Sequence, residues 1–391
     1  MNDFIYDIPT RVYFGKDQLK NLGREVKQYG KRVLMVYGGG SIKRIGLYDR
    51  VMESLKENGL EVFELAGVKP NPSIESVREG ARMCKEHHVD VVLAVGGGST
   101  LDCSKFIAAG AKVDFDPWDF FSDKWAPLTE ALPILDVLTL SATGSEMDCG
   151  GVISNPETND KIGRMEPVLQ PKASFLDPTT TFSVNAYQTA CGSADMMSHI
   201  LEVYFNMNED LEMLDSFMEG LMRNIIKYTP IALKEPENYK ARAELMWTGT
   251  WAINGFINGG KRQAWSCHPM EHELSAVYDI THGLGLAILT PRWMEYCLDE
   301  RTVDKYVQFA NNVFGIHGGD KMEVAHRGIA ALSDFLFNQL GLKSTLPEVG
   351  IDETHFASMA EKAVKNGGTK YAFKPLAKED VEKIYRMCLS K

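Results

Sequence analysis

Short apolar runs and helical stripes alternate along the first half of the chain. RVLMVYGGG (32–40), LEVFEL (60–65), VDVVLAVGGGS (89–99) and ILDVLTL (134–140) have the length and β-branched content of buried strands. Between them, IGLYDRVMESLKENG (45–59), SIESVREGARMCKEHH (73–88) and LDCSKFIAAGA (101–111) carry apolar residues at helical spacing. That rhythm predicts a parallel sheet covered by crossover helices. Both glycine triplets lie where a strand hands over to a helix, the edge at which open α/β sheets bind ligands. From about residue 185 the strand signal fades. EDLEMLDSFMEGLMRNIIKY (209–228) places Leu211, Leu214, Met218, Leu221, Met222 and Ile225 on one stripe, so the second half reads as helical. FLDPTTTFSVNAYQ (175–188) separates the two regimes, with Pro178 ending the preceding structure and polar residues available to cap the next helix. The expected organisation is an α/β domain over 1–184 and an all-helical domain over 185–391.

A chain of 391 residues, 44% hydrophobic and 24% charged, is long enough for two cores and excludes a disordered or fibrous protein. With a net charge of −11 and no basic stripe interleaved with aromatics, nucleic acid and anionic membranes are poor partners, and a small molecule is the better expectation. The seven cysteines form no CxxC and no paired spacing, which points to free thiols in a reducing compartment. MNDFIYDIPTRVYFG lacks the features of a secretory leader, and no apolar run is long enough to span a bilayer. A cytoplasmic protein is expected.

VVLAVGGGSTLDCSKF sets Gly96, Gly97, Gly98 and Ser99 at a strand end before a helix that carries Asp102. Glycines let backbone N–H groups approach a pyrophosphate, and the helix start adds partial positive charge. A tight turn that merely tolerates glycine is the plainer alternative. The earlier YGGGSIKR places Gly39 and Ser41 where an adenosine ribose would lie, and an ordinary turn explains it as well from local sequence. No carboxylate stands there to hold a ribose 2′-hydroxyl, and Ser41, Lys43 and Arg44 are near, so the turn favours NADP(H) over NAD(H). TLSATGSE (139–146) offers Thr139, Thr143 and Ser145 at a further strand end. Its alternative is a capped helix start.

Asp195 and His199, four apart in CGSADMMSHILEVY, project from one face of a helix. Taken singly, each is explained by a solvated Asp and a satisfied His. CHPMEHELSAVYDITHGLG then adds His268, His272 and His282, giving five donors where a compact site needs four. Without thiolate, Asp and imidazole suit a catalytic divalent metal such as Fe, Zn, Co or Ni. Spacing leaves open which of His268 and His272 stands outside the set. His87, His88, His317, His326 and His355 lie in charged helices or loops and read as surface residues. MWTGTWAING and RQAWSCHPM are rich enough in aromatics and Met to line an apolar pocket, although core packing explains them equally.

GGGS at 96–99, TGSE at 143–146, D-x3-H at 195–199 and H-x3-H-x9-H-G from 268 resemble the iron-containing (group III) alcohol dehydrogenase family in order and spacing over the full length. YGGGSIKR resembles its butanol dehydrogenase and NADPH-dependent aldehyde reductase branch. The resemblance implies a dehydroquinate synthase-like fold, a dinucleotide-binding α/β domain followed by an all-α domain, with a metal in the cleft between them. It implies Asp195, His199, His268 and His282 as metal ligands, with His272 outside the ligand set as a catalytic participant near the nicotinamide. It puts the pyrophosphate on Gly97, Gly98 and Ser99, the adenosine near Gly39, Ser41 and Asn71, and the nicotinamide side near Asp102, Thr139, Thr143, Ser145 and Lys161.

The expected reaction is hydride transfer between the nicotinamide and a primary alcohol or aldehyde such as butanol or butanal, with a homodimer as the expected assembly. A metal-dependent hydrolase of a phosphorylated small molecule would also use Asp and three His. It leaves two glycine triplets at successive strand ends without a dinucleotide to bridge.

Overall fold

The computed structural model describes residues 2–206, 211–261 and 264–390. The start of the stripe expected from residue 209, and residues 262 and 263 of the aromatic stretch, lie outside the described residues. The eight described strands are β1 (Arg11–Phe14), β2 (Arg32–Tyr37), β3 (Glu61–Leu65), β4 (Val91–Gly96), β5 (Ile134–Leu138), β6 (Gly150–Asn155), β7 (Asp160–Met165) and β8 (Ala173–Leu176). The α/β region contains the helices α1 (Leu22–Val26), α2 (Ser41–Arg44), α3 (Leu47–Glu57), α4 (Ile74–Glu86) and α5 (Gly98–Gly110). Then come α6 (Ala186–Tyr204), α7 (Glu212–Lys234), α8 (Tyr239–Trp251), α9 (Cys267–Tyr278) and α10 (His282–Cys297). The last four are α11 (Val303–Phe314), α12 (Lys321–Ser333), α13 (Phe356–Asn366) and α14 (Lys378–Met387).

Two compact units emerge, and they are not two consecutive stretches of chain. One holds residues 7–184 together with 237–250, nearly all of α8; the other holds residues 1–6, 185–236 and 251–391. In the first, a six-stranded parallel sheet runs β1-β8-β5-β4-β2-β3. All six residues of VVLAVG in β4 are buried, as a strand covered on both faces must be. One face packs Val92, Phe106, Ile107 and Phe120, and the other Val33, Met35, Val51 and Leu55. β3 pairs with one side of β2 and β4 with the other, so the direction of winding reverses between β2 and β4. Their C-terminal tips lie side by side, with Tyr37 opposite Val95, and each tip opens into a glycine turn. That reversal point is where a doubly wound sheet leaves a crevice for a ligand.

The hairpin β6–β7 was not evident from sequence. It is a separate antiparallel pair that docks on α5 through Val152 N–H, which donates to Asp102 Oδ2 at 2.9 Å. TGSE does not start a long helix; Ser145–Met147 form one 3-10 turn.

In the helical unit α6 is buried along nearly its whole length and packs against α7 and α10, while α9 packs against α10 and α13. Asn185 caps α6 by accepting from Gln188 N–H. On α7, Leu214, Met218, Met222 and Ile225 are buried, as their spacing requires, and Leu221 is half-buried. Among the described residues no helix is long and apolar enough to cross a membrane.

Candidate active site

Three helices supply the expected donors. Asp195 and His199 project from α6, where one turn of helix aligns them. His268 lies in the first turn of α9, where Pro269 costs no hydrogen bond because its N–H would have no partner in that turn. His282 is the first residue of α10. Asp195 Oδ1 stands 3.5 Å from His199 Nε2, 3.7 Å from His268 Nε2 and 3.7 Å from His282 Nε2. Asp195 and His199 are buried, with relative exposures of 2% and 4%. Asp195 Oδ1 and His268 Nε2 have no hydrogen-bond partner. Two of the converging atoms, Asp195 Oδ1 and His268 Nε2, are thus buried polar atoms that a divalent cation would satisfy, and one carboxylate with three imidazoles is a donor set that suits one. The residues therefore fit a metal.

Electrostatics at these donors follow from burial and neighbours. Burial pushes His199 down to about 4, against the pull of Asp195. Burial also lowers His268, but Glu202 and Asp195 more than offset it and hold the ring up to about 9. Asp195 is held below the ordinary carboxylate range because the three histidines outweigh its burial.

His272 lies nearby without joining this convergence. Its ring centroid is 6.3 Å from that of His268 and 5.8 Å from that of His282. Ligand atoms that all lie within 4.8 Å of one another form two groups among the described residues, Asp195 with His268 and His282, and Glu271 with His272 and His282. His88, His317, His326 and His355 are exposed, and His87 is half-buried, stacked on Phe63.

Two carboxylates that are not among the expected donors stand against the histidines. Glu202 on α6 accepts from the Ser266 and Cys267 N–H groups at 2.5 and 2.7 Å and meets His268 Nδ1 at 2.5 Å. Glu271 on α9 meets His282 Nδ1 and Ser275 Oγ. The signal was present: Glu202 follows Asp195 by seven and His199 by three, on one helical face.

In the α/β unit Gly39 and Ser41 follow β2, Gly97, Gly98 and Ser99 follow β4, and Thr139, Thr143 and Ser145 follow β5, while Asp102 lies on α5 and Lys161 on β7. Gly97 precedes α5, and Gly98 and Ser99 form its first turn. A Cβ on Gly98 would stand 2.3 Å from Thr143 Oγ1, so the two polar turns touch only because this residue is glycine. Thr139 N–H donates to Gly96 O at 2.9 Å, and Ser145 Oγ donates to Asp102 Oδ1 at 2.7 Å. Asp102 thus ties together α5, the 139–146 turn and the β6–β7 hairpin, and burial raises its carboxyl to about 6. Lys161 is buried on β7 opposite Ser154. Asn71 adopts a left-handed backbone with φ of 52°. A Cβ on Gly39 would meet nothing within 4 Å, and Ser41 is exposed at the start of α2. Lys43 is exposed, and its ammonium lies 5.2 and 4.6 Å from the ring centroids of Tyr37 and Tyr48, whose hydroxyls both donate to Glu64 at 2.8 Å.

Residues 9–178 match the family model of iron-containing alcohol dehydrogenase, and residues 189–389 that of the C-terminal region of Fe-containing alcohol dehydrogenases. NADH-dependent butanol dehydrogenase A of Clostridium acetobutylicum is 52% identical over 99% of both chains. NADPH-dependent aldehyde reductase YqhD of Escherichia coli is 39% identical over 95% of both. A crystal structure described as NADH-dependent butanol dehydrogenase A from Thermotoga maritima superposes with a TM-score of 0.95 at 40% identity, covering 100% of this chain and 99% of that one.

Proposed function

The chain belongs to the iron-containing alcohol dehydrogenase family, and from that premise we propose that it passes a hydride between NAD(P)H and short primary alcohols or aldehydes, butanol and butanal among them. It is an NAD(P)-dependent oxidoreductase of the alcohol dehydrogenase and aldehyde reductase class, not a hydrolase. The observation that carries the reading is the convergence of Asp195 Oδ1 on three histidine Nε2 atoms, in a chain that also places glycine turns at the reversal point of a parallel sheet.

Asp195, His199, His268 and His282 would hold one divalent metal, with Fe and Zn ahead of Co and Ni. When bound, it supplies Lewis acidity to the substrate oxygen. Gly97, Gly98 and Ser99 receive the pyrophosphate on backbone N–H groups at the α5 start. Gly39, Ser41 and Asn71 border the adenosine, and Asp102, Thr139, Thr143, Ser145 and Lys161 border the nicotinamide. His272, outside the convergence but one turn from His268, relays the proton between the substrate oxygen and solvent.

For the dinucleotide, Gly39 provides no carboxylate to repel a 2′-phosphate, which favours NADP(H). Lys43 is engaged with two tyrosines whose hydroxyls donate to Glu64, which weakens its pull on that phosphate. The relative at 52% is named for NADH and the one at 39% for NADPH. We propose that both are used. Loss of reduced-nicotinamide absorbance with butanal, measured with each dinucleotide, tests this. Comparable kcat/KM values are expected, and a preference beyond about 100-fold, roughly 2.7 kcal/mol, would overturn dual use.

A further inference from the structure

Beside the four converging donors stand two buried carboxylates. Glu202, 2% exposed, takes the Nδ1 side of His268 with Oε1 at 2.5 Å, while its Oε2 accepts the first N–H groups of α9 from Ser266 and Cys267. Glu271, fully buried, takes the Nδ1 side of His282 and is also bonded by Ser275 Oγ. Room for Glu271 depends on Gly285, where a Cβ would come within 2.8 Å of its Cγ. His199 lacks such an arrangement, and its Nδ1 is buried without a hydrogen-bond partner.

We propose that Glu202 and Glu271 are positioning residues of the metal centre, each fixing one imidazole in the tautomer that carries its proton on Nδ1 and turns the Nε2 lone pair toward Asp195. A carboxylate accepts and never donates when ionised, so it admits only Nδ1–H opposite it. That leaves Nε2 as the ligand atom and raises its basicity. Glu202 does more. It grows from the helix that carries Asp195 and His199 and grips the N-terminus of the helix that carries His268, so one side chain sets the spacing between the two ligand windows.

Glutamine at either position is the discriminating change, because it removes the obligate acceptor: at 202 the two α9 N–H groups claim its amide oxygen and leave the amide nitrogen facing Nδ1, and at 271 either end of the amide can face the ring, so its proton is no longer fixed on Nδ1. The inference rests on the reading of the four donors as a metal centre, and the experiment separates the two. Co(II) and Zn(II) affinities are measured by chelator competition on metal-stripped wild type, Glu202→Gln and Glu271→Gln, with the proton position on each neutral ring read by 15N NMR at a pH above the value of about 9 at which His268 titrates, and NADH binding by fluorescence. Affinity is expected to fall about 10–100-fold in each variant, with Nδ1–H giving way to Nε2–H at the affected ring and NADH binding unchanged. If wild type binds neither metal, the metal centre and this inference fall together. If wild type binds and both variants match it within about twofold, only the positioning role falls. Should Glu202→Gln fail to fold, since it also holds α9, Glu271→Gln decides alone because its carboxylate holds no helix start.

Discussion

Asp195 is the residue on which the proposed centre turns, since three imidazole nitrogens approach one of its oxygens. Replacing His268 by Ala should abolish metal retention and turnover together. His272→Ala should keep metal, measured by elemental analysis, and lower kcat about 100-fold, the scale of a lost proton relay. A His272→Ala enzyme with unchanged kcat would remove that residue from the reaction. A separate prediction concerns Glu146, whose carboxyl is raised by burial from 4.5 to about 7 while it accepts from Thr250 Oγ1 at 2.6 Å. Its folded-state affinity for the proton exceeds the unfolded one, so the unfolded chain releases the proton first as pH rises. Stability should therefore decline from pH 4.5 to about 7. In Glu146→Gln, urea unfolding across that window should show a shallower decline, and an unaltered slope would refute the assignment. At this scale much was legible. The i, i+4 pair and the second histidine window named every donor that converges, but spacing did not choose between His268 and His272, because both lie on α9 one turn apart. Glu202 and Glu271 went unread because a carboxylate on a helix is usually solvated, and only packing shows these two buried.

Among the elements, α6 and α10 must approach closely for His282 to reach Asp195. Gly283 permits it: a Cβ there would stand 2.0 Å from the Cys191 carbonyl oxygen on α6. Gly283→Ala should push the helices apart, cost about 1–3 kcal/mol or more of stability, and reduce metal affinity while the α/β unit still binds NADH. Thermal melting and metal titration check this, and a variant equal to wild type in both would contradict the close-packing argument. Strands β2, β4 and β5 were readable because buried parallel strands are continuous apolar runs. β1, β8 and the β6–β7 hairpin were not. GGVISN and DKIGRM have weak alternation, and their place is fixed by Asp102, a contact 50 residues away in sequence. α8 reads as one more helix of the second half, yet it packs with the sheet unit because Met246 joins the cluster formed by Ala94, Leu101 and Leu176.

For the whole molecule, the four donors lie in one unit and the glycine turns in the other, so the proposed metal and dinucleotide sites belong to different units. NADH binding should thus survive metal removal, while metal at about 100 times its Kd should add roughly 2.7 kcal/mol to the stability of the unit that holds it. The measurement that tests the central claim most directly is the rate of reduced-nicotinamide oxidation with butanal by protein stripped of metal and then reconstituted with Fe(II) or Zn(II). Turnover should be lost on stripping and restored by metal. Full turnover in the stripped protein would contradict that claim.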